Sequence, residues 1–165
     1  MKRAGLLFAG ALALSGCGLR PLYGGGAAGP VQSTLAAVEV APIDGQAGWL
    51  VSNALRDRLE TEEHQTARYR LEVRLDDKIA GLGVRSDNSV ARERRTLRAR
   101  YQLVDLSSGA VVLDATAGSD AGVDVVGSEY ATIAAEKSAL ERLSGIVADQ
   151  IVARVARFAQ TSAAQ

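Results

Sequence analysis

One thiol and a row of guanidinium groups are the side chains in this sequence best placed to do chemistry. Cys17 closes the run Leu14-Ser15-Gly16-Cys17. A leucine, two small residues and a cysteine form the pattern that signal peptidase II cuts. The small residues let the backbone lie in the protease. The sulfur accepts a diacylglycerol, and the amine freed by the cut accepts a third acyl chain. Each buried methylene adds about 0.8 kcal/mol and a single chain holds only reversibly, so three chains anchor durably. The guanidinium row runs from Arg85 to Arg100, where six arginines (85, 92, 94, 95, 98 and 100) stand against two acids, Asp87 and Glu93. Guanidinium forks take phosphate or carboxylate in bidentate fashion.

Other chemistries find little support. His64 is the single histidine and lies in Glu-Glu-His-Gln. A solvated position suits it, and no second histidine exists to build a nucleophile-base pair or a zinc site with the lone cysteine. There is no G-x-S-x-G elbow and no phosphate-binding G-x-x-x-x-G-K-[ST] loop. Gly81-Leu82-Gly83 lacks the third glycine and the following helix of a dinucleotide fingerprint. Asp76-Asp77 and the Asp120/Asp124 pair read as surface acids rather than a cation site. We therefore expect no enzyme, no metal and no cofactor. A nucleic-acid binder is not expected either. Lys+Arg and Asp+Glu are equal at 19 each, and the arginine strip is not interleaved with stacking aromatics.

The elements that must position these groups begin with the leader. Lys2 and Arg3 precede the uncharged run Ala4–Leu14. That run is shorter than the ~20 residues needed to span a bilayer and matches the apolar region of a signal peptide. Residues 1–16 are thus a lipoprotein signal peptide, and residues 17–30 a lipidated, Gly-rich flexible tether. Gly18, where Asp would favour inner-membrane retention, points to the periplasmic face of the outer membrane. Residues 31–160 are expected to form one domain, with an apolar fraction of 47% across the chain supplying its core. Residues 161–165 are expected to be a disordered tail.

Within the domain, Leu35–Ala41 reads as a strand stopped by Pro42. Trp49 to about Glu63 reads as a helix, with Val51, Leu55 and Leu59 on one stripe. Two strands alternate strictly. Tyr69, Leu71, Val73 and Leu75 face one way, against Arg68, Arg70, Glu72, Arg74 and Asp76. In the next, Leu97, Ala99, Tyr101 and Leu103 face inward, against Arg92, Arg94, Thr96, Arg98, Arg100 and Gln102. After the turn Ser107-Ser108-Gly109, a fourth strand spans Ala110–Ala117 with Val111, Leu113 and Ala115 inward. Gly118–Gly127 reads as a loop. Ser128 caps a helix running to about Phe158 whose stripe starts at Tyr130 and Ile133. The order predicts an α/β (α+β) two-layer sandwich, two helices packed on one face of a four-stranded, mostly antiparallel sheet. Arg92, Arg94, Arg98 and Arg100 then share the outer face. Either an anionic ligand or partner meets them, or they are solvated and balanced by Glu72, Asp76 and Glu93.

Cys17-Gly18-Leu19-Arg20-Pro21-Leu22-Tyr23-Gly24 resembles the C-G-F-x-P-L-Y-G start of the LPS-assembly lipoproteins (LptE-type, or rare lipoprotein B). Leu19 stands where Phe is commoner. The likeness continues in Leu50–Leu59, similar to x-L-x-N-x-L-x-x-x-L, in Leu97–Leu103 with Ser108-Gly109, in Glu129-Tyr130-Ala131-x-x-Ala134-Ala135-Glu136 and in Ile151-x-x-Arg154-Val155. The resemblance implies two helices on a four-stranded sheet. It also implies an outer-membrane lipoprotein that plugs the large β-barrel LptD and delivers lipopolysaccharide to the outer leaflet. The resemblance further implies lipopolysaccharide binding through basic residues on the sheet. Arg92, Arg94, Arg98 and Arg100 are the candidates here, chosen from alternation alone. The alternative is an auxiliary lipoprotein of another envelope lipid-transport machine.

Overall fold

The computed structural model describes residues 29–59, 66–84 and 90–163. Cys17, the signal peptide, most of the tether, His64 and Arg85 lie outside the described residues. Among the described residues seven elements follow one another: α1 (Pro30–Ala36), β1 (Val38–Val40), α2 (Gly45–Leu59), β2 (Tyr69–Val84), β3 (Val90–Asp105), β4 (Val111–Asp124) and α3 (Glu129–Ser162). The strands form one sheet in the order β1-β2-β3-β4. β1 runs parallel to β2, the consequence of the α2 crossover between them, and the hairpin-linked strands are antiparallel. The architecture is the expected α+β sandwich, with one helix more than the sequence reading gave.

That extra helix is a correction. Leu35 and Ala36 belong to α1, and the strand keeps only three residues. Pro30 sits in the first turn, where its fixed φ suits a helix and its missing N–H costs nothing. Val31 and Leu35, one turn apart, are both buried.

Strict alternation puts the core on one face. Leu71, Leu97, Tyr101 and Leu103 from β2 and β3 are essentially inaccessible, and pack against Val51 and Leu55 of α2 and Leu140, Leu143, Val147, Ile151 and Val155 of α3. Each such side chain contributes roughly 1.5–3 kcal/mol by leaving water. Phe158 closes one end, edge-on to Tyr69 at 6.1 Å. Arg58 of α2 ties the two long helices together through Asp149, Nε to Oδ1 2.6 Å.

Three further expectations change. β4 does not stop at Ala117 but continues to Asp124, so residues 118–124 are strand rather than loop. Val111 is half exposed instead of inward, because a register shift at Leu103/Val104 sets it opposite Val104. Tyr130 and Ile133 do not join the buried stripe: they are 83% and 55% exposed, and burial in α3 begins at Ala139. Ser128 caps α3 as expected, its hydroxyl accepting from the Ala131 N–H. The helix runs past Phe158 to Ser162.

Gln150 reaches from α3 to β4. Its side-chain oxygen accepts from Gly118 N–H at 2.9 Å and its amide nitrogen donates to Gly118 C=O at 3.3 Å. No described helix is long and apolar enough to cross a membrane.

Candidate functional site

The outer face of the sheet carries the site, and β3 supplies its central row. Alternation puts Arg92, Arg94, Thr96, Arg98, Arg100 and Gln102 on that face, as expected. The register then sets their neighbours. Toward β2, Arg100 stands opposite Arg74, Arg98 opposite Asp76 and Thr96 opposite Lys78. Toward β4, Arg92 stands opposite Asp124, Arg94 opposite Gly122, Arg98 opposite Gly118 and Arg100 opposite Thr116.

β4 supplies the counter-charges. Arg100 bonds Asp114 through Nη2 at 3.0 Å and Nε at 3.3 Å. Arg98 sends Nη2 to both oxygens of Asp120 at 3.2 Å, and Arg92 Nε lies 3.3 Å from Asp124. The Thr96 hydroxyl donates to Asp120 at 2.7 Å and the Gln102 amide to Asp114 at 2.8 Å. These bonds favour the ionised acids. Asp120 is held below the usual carboxylate range by Thr96 and then by Arg98, with Arg94 adding its charge. Asp114 is held below it by Arg100 and then Gln102, and Asp114 in return raises Arg100 further.

The outer-face residues of β4 read Asp114, Thr116, Gly118, Asp120, Gly122, Asp124. The small positions have a physical cause. A Cβ on Gly118 would stand 2.5 Å from Arg98 Cδ and 2.9 Å from Leu97 O. Glycine there lets the Arg98 stem lie across the strand to Asp120. The gap opens a shallow groove of about 620 Å³, lined by Arg74, Asp76, Arg98, Arg100, Thr116 and Gly118 among others. Sequence reading missed Asp114, Asp120 and Asp124 as partners of the arginines. The signal was present: acids, glycines and a threonine fill every second position from 114 to 124, a strand period hidden by turn-forming residue types.

The acids expected to balance the row are only partly right. Glu93 lies on the opposite face of the sheet from the row, since residues of one parity share a face and it is of the parity of Leu97. Arg95 lies there too, paired with Asp77. Asp76 is taken by Lys78 at 2.8 Å, and Arg70 by Glu39 of β1 at 2.7 Å. Arg68, just before β2, stacks 5.1 Å from the Tyr69 ring centre and 3.8 Å from Asp105. Among the described residues, Arg94 and Arg74 make no salt bridge, and no group of three or more potential metal ligands occurs. The arrangement is a semi-rigid guanidinium lattice. Exposed pairs of this kind contribute only about 0–1 kcal/mol each, so their main effect is to fix where the forks point.

Comparison with known proteins completes the picture. The family model for LptE, described as Lipopolysaccharide-assembly, matches residues 35–155. A Caulobacter crescentus CB15 protein described as a lipoprotein has a similar structure, with TM-score 0.67, 26% identity, and coverage of 81% of this chain and 98% of that one. Lipoprotein B from Nitrosomonas europaea (TM-score 0.56, 12% identity, 74% and 82% covered) and a minor lipoprotein from Acinetobacter baumannii (0.55, 12%, 73% and 91%) share the fold. No curated protein matches the chain significantly.

Proposed function

The chain belongs to the LptE family of lipopolysaccharide assembly, and from that premise we propose that it works as a lipid-anchored, non-catalytic module at the periplasmic face of the outer membrane. Cys17 carries the acyl chains. The domain seats in the lumen of an LptD-type β-barrel as plug and assembly partner, and its arginine face meets the phosphates of lipopolysaccharide. The polar interior of such barrels suits a charged outer face. Divalent cations bridge lipopolysaccharide phosphates, so separating one molecule from an aggregate requires cationic groups to replace them.

The observation that carries the ligand role is the row Arg92, Arg94, Arg98 and Arg100 on one exposed sheet face. Three of these are already oriented by aspartates, while Arg94, and Arg74 beside Arg100, are not neutralised by a salt bridge among the described residues. We infer that Arg94 and Arg74 make the first contacts with phosphate, and that Arg98 and Arg100 exchange their aspartates for the ligand or share it.

Two measurements test this. The full chain in detergent, with Arg74 and Arg94 both changed to Glu, is expected to lose lipopolysaccharide binding at least tenfold while its unfolding transition stays put. Unchanged binding removes the ligand role from this face. Separately, affinity purification from solubilised outer membrane is expected to bring down a very large β-barrel. Its absence, with another envelope lipid carrier in its place, would favour the auxiliary role instead.

A further inference from the structure

Most of the sheet's core face is apolar, but one end of it carries an ionisable cluster. There Glu93 and Arg95 of β3 sit on the inner face, opposite Gly81 and Ile79 of β2 and Val123 and Ala121 of β4. Arg95 is nearly enclosed, with its side chain 11% exposed. All three of its nitrogens are engaged. Nε and Nη2 clamp the two oxygens of Asp77 at 2.9 and 2.6 Å, and Nη1 donates to the Glu136 backbone carbonyl at 2.9 Å. None of the Arg95 N–H groups is bonded to Glu93 Oε2. Its Oε2 is shut off from solvent with no donor among the described residues, and its carboxyl lies within hydrogen-bonding reach of the Glu136 carboxyl.

This corner is also where α3 is least attached. Of residues 129–138, only Thr132 and Glu136 are even partly buried. A shielded carboxylate oxygen without a donor, beside a second carboxyl, disfavours ionising both acids.

We propose that Glu93 and Glu136 share one proton, and that this proton clasps the first turns of α3 to the sheet and frees them when it passes to solvent. Burial and the neighbouring Glu136 both push the Glu93 carboxyl above the ordinary carboxylate range. The charged groups facing the pair are Asp77 from β2, Arg95 from β3 and Glu136 from α3. β4 contributes only Ala121 and Val123. Asp77 already neutralises Arg95, so the cation relieves the carboxyl pair only weakly. A raised carboxyl pKa stabilises the closed form fully below the ordinary value and ceases to do so as pH rises through the raised one. The clasp is therefore closed in acid and opens as pH rises through that raised value. This inference is independent of the proposed ligand and partner.

The full chain in detergent tests it by two readouts. Carboxyl carbon NMR is expected to show Glu93 titrating above the other glutamates. Hydrogen exchange of residues 129–138, corrected for intrinsic rate, is expected to speed up over the same pH range, about tenfold in opening for each unit by which the pKa is raised. Glu93→Gln supplies a permanent donor, so protection should stay high and independent of pH. Glu136→Gln should lower the Glu93 titration only part of the way to the ordinary range, since burial remains, and should shrink the exchange profile to match; it provides a separate reading should the first variant fold poorly. Glu93 titrating with the other glutamates, or exchange that stays flat while it titrates, overturns the clasp. So does pH-dependent exchange that persists in Glu93→Gln.

Discussion

The two faces of the sheet are built by different physics. The inner face is held by displaced water. Leu71, Leu97, Tyr101 and Leu103 bury their side chains against two helices, and their contribution depends on area and fit. The outer face is held by register. Arg98 meets Asp120, and Arg100 meets Asp114, because β3 and β4 pair so that each acid lies diagonal to its arginine. The contrast teaches where stability and function separate. The inner face makes the domain; the outer face contributes little to folding and so is free to be specialised for a partner.

That separation can be attacked in three places. The largest effect is expected from the inner face. Leu103→Ala should cost about 2–5 kcal/mol in denaturant unfolding, because the side chain is fully enclosed and its removal leaves a cavity. A loss below about 1 kcal/mol would mean the core repacks. The intermediate effect is expected where the faces share a backbone. Gly118→Ala should cost about 1–3 kcal/mol, since the new Cβ would meet Arg98 Cδ and Leu97 O. Removing the Arg98 side chain as well should recover only part of that loss, because the carbonyl contact remains. Full recovery would show that the arginine stem alone fixes the glycine. The smallest effect belongs to the outer face. A double-mutant cycle on Arg98 and Asp120 should return a coupling smaller than either loss above. The Asp120 pKa is depressed, so that coupling is present at neutral pH and is lost as pH falls through and below the ordinary carboxylate range. A coupling that grows on acidification would contradict the pairing.

The inner face was legible from the sequence for the same reason it is strong. Tyr69 to Leu75 and Leu97 to Leu103 alternate locally, and alternation needs no knowledge of the partner strand. The four arginines of the outer row were placed correctly by the same rule. Their partners were not. Asp114 was inside the expected strand but unassigned, and Asp120 and Asp124 were hidden in a stretch whose glycines imitate a loop. Only the register shows that Gly118 and Gly122 make room for arginine side chains. α1 was misread because a seven-residue helix gives too few turns for a period to show. The start of α3 was misread for a different reason. An apolar stripe says which residues would accept cover, not whether any arrives, and none does at Tyr130. The acid pair at Glu93 was likewise invisible, because it joins residues of two elements at the rim of the core.

The amide of Gln150 has a consequence beyond its two hydrogen bonds. It occupies both backbone groups of Gly118 as a neighbouring polypeptide would, so an incoming strand must first evict it to dock there. An open strand edge pairs with others of its kind, and a ribbon of such pairings grows into aggregates. A single glutamine, reaching from helix to sheet, blocks that border at Gly118.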